Sequence, residues 1–457
     1  EEEPAPAPKQ QQPSAPPVAP PPMPTLLSAA ASPSLGRAAV CSTMKDVRHR
    51  IESWVRWHLH IGFERLYIFF DDANETESAE LAKAVGGSAV QALMRDSDVL
   101  KQAWRRQPSW GGMGKDADKD VQIRQLLNAQ HSMDLARTGG LTWLLHLDSD
   151  ELFLPRGASA SSFSDALDAA SPCAAGSVVA HFSRLAASGC ECFVYHNFEA
   201  VPEGLPPAAE IPPTDAKPAA GGPTSDPFSQ IELFKLAESR VPWREDHQAL
   251  DALEAWRKRT RSHKFFLYYE SGKCACRVDT DGNWVPVSVH TCLPRLPQNS
   301  DGTPAKWDEP RLNTRAWTND YRNSGLRHAM EEGSCVLHYP VWDPAALWHK
   351  YVLHGDFTNE LVSGKTHKKG LQWGECFHIE CRDVYLKNKG EADGGYSALL
   401  ELFKKVVMLQ PNERGEAERQ INLGLLVRLN QAKELLTARR GDAAATTTAA
   451  AQVSSSG

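Results

Sequence analysis

Hydrophobic and polar positions along the chain alternate between short apolar runs and helical periods. The run Leu35-Gly36-Arg37-Ala38-Ala39-Val40-Cys41-Ser42 predicts a first strand. Val47, Ile51, Trp54, Val55 and Leu59 recur at helical spacing and predict a helix over 46–61, closed by Gly62 at its C-terminus. Leu66-Tyr67-Ile68-Phe69-Phe70 predicts a buried strand ending in Asp71-Asp72. A short helix over 78–85, a strand over 89–94 and a longer helix over 118–137 follow, the last with Val121, Leu126, Leu127 and Met133 inward. It leads to Leu141–Leu147, an apolar strand that runs into Asp148-Ser149-Asp150-Glu151 before Leu152 and Phe153 resume the apolar pattern.

Strand and helix in this alternation predict a parallel α/β sheet of nucleotide-binding type up to about residue 155. Beyond it the pattern predicts a helix over 159–170, strands over 177–182, 265–269, 285–290 and 334–339, and helices over 245–259 and 344–354. Two more helices are predicted, near 396–408 and over 412–438. The implied organisation is a Pro-rich stem over 1–36, a globular head over 37–358, a helical region over 359–441 and an Ala/Thr/Ser tail over 442–457. The head divides into a half of nucleotide-binding type, 37–155, and a second half, 156–358, with a Pro/Ala/Gly surface loop at 202–228. Gly111-Gly112-Met113-Gly114 reads as a mobile loop.

Composition narrows the class. At 457 residues the chain is long enough for a sizeable core. A net charge of −7 gives no electrostatic case for nucleic acid. No apolar run reaches membrane-spanning length. The sequence starts at Glu1 rather than Met, so a preceding anchor, with 1–36 as its stem, is an expectation. Ten cysteines, some in close pairs, allow either disulfides in an oxidising lumen or buried thiols in the cytoplasm. Their spacing gives no argument for structural zinc.

The chemistry collects at strand ends. Asp148 and Asp150 would share a side if the strand geometry continued, and two such carboxylates call for a cation between them. Mg²⁺ or Mn²⁺ held with substrate phosphates meets that need; the plainer reading is a solvated acidic turn. In a doubly wound sheet the same crevice would take in Ser42, Lys45, Asp71 and Asp72, with an Asp on the nucleoside and Lys45 on phosphate. The Gly-rich phosphate-binding motifs are missing from the sequence. His338 or, alternatively, His290, each ending an apolar strand, would complete a metal shell. An alternating strand end points Glu151 away from the two aspartates.

These residues resemble a known pattern. Cys41-Ser42-Thr43-Met44-Lys45-Asp46, Glu52-Ser53-Trp54, His58, Gly62-Phe63 and the strand ending in Asp71-Asp72 look like the opening of family 92 and family 2-like GT-A glycosyltransferases. Gln125-Leu126-Leu127-Asn128-Ala129, then the strand ending Asp148-Ser149-Asp150-Glu151-Leu152-Phe153, and His338-Tyr339 with Lys350 and Gly355, are similar to later segments of those enzymes. Two departures stand out: Asp46-Val47 replaces the usual Asn-Glu, and the 202–228 insertion lies where acceptor contacts are expected. The resemblance implies a GT-A-type α/β fold, with a mixed, mostly parallel sheet flanked by helices. It also implies a divalent cation, usually Mn²⁺, and a nucleotide-diphosphate sugar, a UDP-sugar being the expectation. Asp148 and Asp150 would hold the metal-diphosphate and His338 would complete the shell. The acceptor would be a glycan or glycoprotein and the setting the Golgi or ER lumen. Inverting transfer would need a general base, for which Glu245, Asp246, Glu191 and Glu199 are unranked candidates. A non-catalytic nucleotide-sugar-binding relative and a metal-dependent hydrolase are the competing functions.

Overall fold

The computed structural model describes residues 33–155, 177–187, 190–206, 225–236, 246–269, 271–280, 284–288, 290–294, 327–328, 334–354, 377–410 and 415–438. The expected helix over 159–170, most of the 202–228 insertion, Glu245, the stem before residue 33 and the tail after residue 438 lie outside them.

The first half follows the predicted alternation. Strand β1 (Ala38–Met44) leads to α1 (Ile51–Ile61), β2 (Arg65–Phe70), α2 (Thr76–Gly86), β3 (Val90–Met94), α3 (Asp98–Arg105), α4 (Trp110–Met113), α5 (Val121–Thr138) and β4 (Trp143–His146). The parallel order β3-β2-β1-β4 is that of a nucleotide-binding half. Alternation along β1 sorts the core: Ala38, Val40 and Met44 pack with Trp54 and Val55 of α1, while Ala39 and Cys41 pack with Leu127 and Met133 of α5. Gly62 ends α1 at a φ of 107°, as expected. The helix starts five residues later than predicted, at Ile51 rather than Asp46. Asp46 has a φ of 55°, a left-handed conformation that a helix interior excludes. Val121, expected inward, is exposed at the first turn of α5. The glycine-rich stretch expected to be a mobile loop forms α4 and a 3₁₀ turn, Gly114–Asp116.

The second half departs further. Strand β5 (Glu151–Leu154) is separate from β4. Residues 177–182, predicted as a strand, open α6 (Ser177–Ala187). Val178, Phe182 and Leu185 share its buried face at helical spacing. A turn at Pro33–Gly36, inside the expected stem, packs on α6 so tightly that a Cβ at Gly36 would stand 2.1 Å from the Val179 carbonyl oxygen. Then come β6 (Cys192–Ala200), β7 (Leu233–Lys235) and α7 (His247–Arg257). Residues 265–269, predicted as a strand, form a bend; the strand is β8 (Ser271–Arg277), just downstream. A hairpin of β9 (Trp284–Ser288) and β10 (Thr291–Pro294), then β11 (Arg327–His328), β12 (Cys335–His338) and α8 (Pro344–His354) follow. The C-terminal region holds α9 (Phe377–Asn388), α10 (Tyr396–Leu402) running into a π turn, and α11 (Glu416–Asn422). The single helix predicted over 412–438 is broken by Gly424, at a φ of 70°, and by β13 (Leu426–Arg428).

Among the described residues this is an α/β fold: a large mixed sheet, parallel in its first half, and the β9–β10 hairpin, flanked by helices. Its two halves are not segregated. Strand β8 pairs antiparallel with β4 on one side and β6 on the other, and so joins them. Strand β12 pairs with β5 and β6 and brings His338 opposite Glu151. Among the described residues no helix is long and apolar enough to cross a membrane.

Candidate active site

The acidic loop leaves the sheet after His146. Strand geometry does not continue through it, because the Glu151 N–H donates to the Asp148 carbonyl at 3.2 Å and closes a turn. Asp148 and Asp150 therefore answer to different partners. Asp148 accepts from Lys273 Nζ at 2.5 Å and Gln125 Nε2 at 2.9 Å, with the Tyr269 hydroxyl at 3.3 Å. Lys273 is fully buried on β8 and also stands 3.7 Å from Glu151. Glu151 thus belongs to the cluster rather than pointing away from it; one of its oxygens accepts the Asp148 N–H at 2.7 Å.

Two carboxylates with one ammonium set the protonation. Burial alone would raise Asp148, but Lys273 overrides it and holds the group well below the usual range. Burial raises Glu151 to about 8; the nearby Asp148 and Asp150 charges add to this and Lys273 opposes it. Lys273, which burial alone would lower, is held above its usual value by Asp148 and Glu151.

Asp150 faces a crevice of about 350 Å³ together with Lys45, Arg50, Trp342, His349 and Lys350. His338 Nε2 lies 3.9 Å from Asp150, and its Nδ1 has no hydrogen-bond partner among the described residues. Burial lowers the His338 pKa and keeps the imidazole neutral, the form that binds metal. The main chain fixes this pairing, since the Tyr339 N–H donates to the Asp150 carbonyl at 2.8 Å. His290 comes to the same place from the other side. Its ring meets the edge of Tyr269, which also stacks on His338, and its Nδ1 is 2.8 Å from the Gly272 carbonyl. Burial, helped by Lys273, pushes His290 down to about 3.

The remaining expected residues are placed unevenly. Lys45, Asp71 and Asp72 line the crevice or the cavity beside it. Both Asp71 oxygens are taken by the buried Arg124, at 2.5 and 2.6 Å, so this carboxylate is already neutralised. Asp72 is partly exposed and holds the Asn74 N–H. Ser42 is buried on the β1 face shared with Val40 and Met44, inside the core. Of the base candidates, Glu199 is buried against Lys235 at 2.8 Å and also holds the Leu267 and Tyr268 N–H groups. Asp246 caps α7. Glu191 precedes β6 at the sheet end marked by Arg277 and Trp143, away from Asp148.

Sequence reasoning missed Lys273, Tyr269 and Arg50. No local signal marks Lys273, because its partner Asp148 stands 125 residues earlier in the sequence. Arg50 donates to Ser149 at 2.9 Å with its guanidinium 5.4 Å from the Trp342 ring, so it braces the loop. Asp46 hydrogen-bonds His349 across the crevice mouth. The unusual Asp46-Val47 pair is accommodated because Glu75 accepts the Val47 N–H at 2.7 Å.

No family model matches the chain. A glycosyltransferase-like protein of Arabidopsis thaliana is 23% identical over 230 residues, 49% of this chain and 42% of that protein. The chain is similar to glycosyltransferase-like proteins. A second such Arabidopsis protein is 22% identical over 231 residues, again 49% of this chain, and 37% of its own length. The chain thus matches less than half the length of either relative. Among solved structures, a core-mannan synthase A from Aspergillus fumigatus in a Mn/GDP form covers 37% of this chain and 44% of its own. That match has 10% identity and a TM-score of 0.21, a score too low to carry an argument.

Proposed function

We propose that the protein is a glycosyltransferase that takes its sugar from a nucleotide-diphosphate donor, with a UDP-sugar as the first choice and a glycan or glycoprotein as acceptor. The observation that carries this reading is the Asp150–His338 pair, whose Asp150 lines a crevice together with Lys45, Arg50 and Lys350. A carboxylate and a neutral imidazole suit Mn²⁺ or Mg²⁺, and cations around them suit a diphosphate. The fit for a metal therefore centres on Asp150 and His338, with Asp148 held by Lys273. Such an ion would take up charge developing on the diphosphate leaving group.

The chain's own groups have separate tasks in this reading. Lys45 and Lys350 attract and orient phosphate. Arg50 braces the loop through Ser149. Asp72, in the adjoining cavity, would take nucleoside hydroxyls, since Asp71 is committed to Arg124. For inverting transfer, the Asp46–His349 pair is the acid–base couple that faces the crevice.

Thermal-shift and transfer assays with a panel of nucleotide sugars, with and without Mn²⁺, test the reading. A bound donor at about 100 times its Kd stabilises by about 2.7 kcal/mol. Asp150→Ala should retain the fold and lose both the Mn²⁺-dependent shift and transfer. Full transfer by that variant, or by wild type in excess chelator, would remove the metal role. Donor binding without turnover would favour a non-catalytic relative.

A further inference from the structure

A second cluster lies across the sheet from the acidic loop. Cys274 and Cys276 stand two residues apart on β8, so both side chains leave one face, the face packed by α5. Cys192 is the direct cross-strand neighbour of Cys276 in the β6–β8 pair. Cys292 arrives from β10, at the hairpin that follows β8. The sulfurs of Cys192, Cys274 and Cys276 lie within 4.8 Å of one another, and Cys292 Sγ is 3.2 Å from Cys274 Sγ. All four residues are 5% exposed or less.

We propose that Cys192, Cys274, Cys276 and Cys292 form a structural zinc site of four thiolates. Four sulfurs bound to one Zn²⁺ at about 2.3 Å stand about 3.8 Å apart. Cys192, Cys274 and Cys276 form the preassembled part of the site, and Cys292, which touches Cys274 but falls outside the 4.8 Å group, closes on the ion as the fourth ligand. A pair of disulfides would give each sulfur a single partner. Here Cys274 and Cys276 each meet all three of the others. Binding releases one proton per thiol, four thiols and Zn²⁺ giving a tetrathiolate with a charge of minus two and four protons.

The site has a structural consequence that does not depend on the transfer reading. It ties β6, β8 and the β9–β10 hairpin together on the face behind Lys273, the residue next to Cys274. The CxxC pairs that announce many zinc sites in a sequence are absent because three different strands supply the ligands.

The test is metal content and coordination in the full chain purified without chelator. Elemental analysis should find about one zinc per chain, and zinc-edge X-ray absorption about four sulfurs near 2.3 Å. Cys274→Ser and Cys292→Ser should each lower the zinc content at least tenfold, whereas Cys381→Ala and His338→Ala should retain it. If the serine variants fail to fold, wild type still decides: alkylation of its thiols should release the zinc stoichiometrically to a metal dye. Zinc below a tenth of an equivalent, nitrogen or oxygen coordination, or peptide mapping that finds Cys192–Cys276 and Cys274–Cys292 disulfides would each overturn the proposal.

Discussion

One ammonium group holds the acidic loop together. Lys273 has no exposed surface, and Asp148 and Glu151 share it. Breaking such a pair from one side leaves buried charge uncompensated, so Lys273→Met should destabilise by about 3–5 kcal/mol in urea unfolding. Glu151 gives the loop a pH signature. Its folded pKa is raised to about 8 from an ordinary carboxylate value, so the native state binds the extra proton. That contribution to stability is full in mild acid and fades as pH rises through about 8. Glu151→Gln should flatten the stability–pH curve between about pH 5 and 8, measured by thermal unfolding across buffers. An unchanged slope would place the pH dependence elsewhere. At this scale the sequence was partly legible. Asp148 and Asp150 stood out because an apolar strand delivers them. Lys273 did not, because its partner Asp148 lies 125 residues away in the sequence and only tertiary pairing joins them.

Whole elements divide along the same line. Strands β1 to β4 and helices α1, α2 and α5 were readable, since each buries a face through local periodicity; the short α3 and α4 were not. Two strands were misread for physical reasons. Residues 177–182 are apolar and β-branched enough to suggest a strand, but Val178, Phe182 and Leu185 bury one face at helical spacing, and the helix packs on the Pro33–Gly36 turn. Residues 265–269 are as apolar as a strand, yet their Leu267 and Tyr268 N–H groups bond the Glu199 carboxylate instead of a ladder partner. The close approach of β6 and β8 explains Gly272: a Cβ there would stand 2.3 Å from the Tyr195 carbonyl oxygen. Backbone cannot yield cheaply, so Gly272→Ala should lower the unfolding midpoint. The same change should weaken donor binding through the displaced Lys273 and through His290, whose ring bonds the Gly272 carbonyl. A stable variant with intact donor affinity would show that the two strands can separate locally.

Across the whole molecule the crevice is assembled from both halves of the chain. Lys45, Asp71 and Asp150 come from the first, His349 and Lys350 from the second, with His338 behind Asp150. That is why sequence motifs could name the metal and nucleotide candidates but could not say which would share an ion: β12 has to dock before His338 meets Asp150. The position of β8 between β4 and β6 also bears on the order of folding. A nascent chain that has reached residue 155 presents β4 with one side unpaired and Asp148 without its counter-ion. Open strand edges of that kind recruit other chains. The segment 37–155 expressed alone should therefore form soluble aggregates or inclusion bodies, and co-expression of the remainder should rescue it; a monodisperse, cooperatively melting fragment would show the opposite. The segment 37–155 is then not a module that recombination could transplant. Its last strand is completed by residues translated long after it.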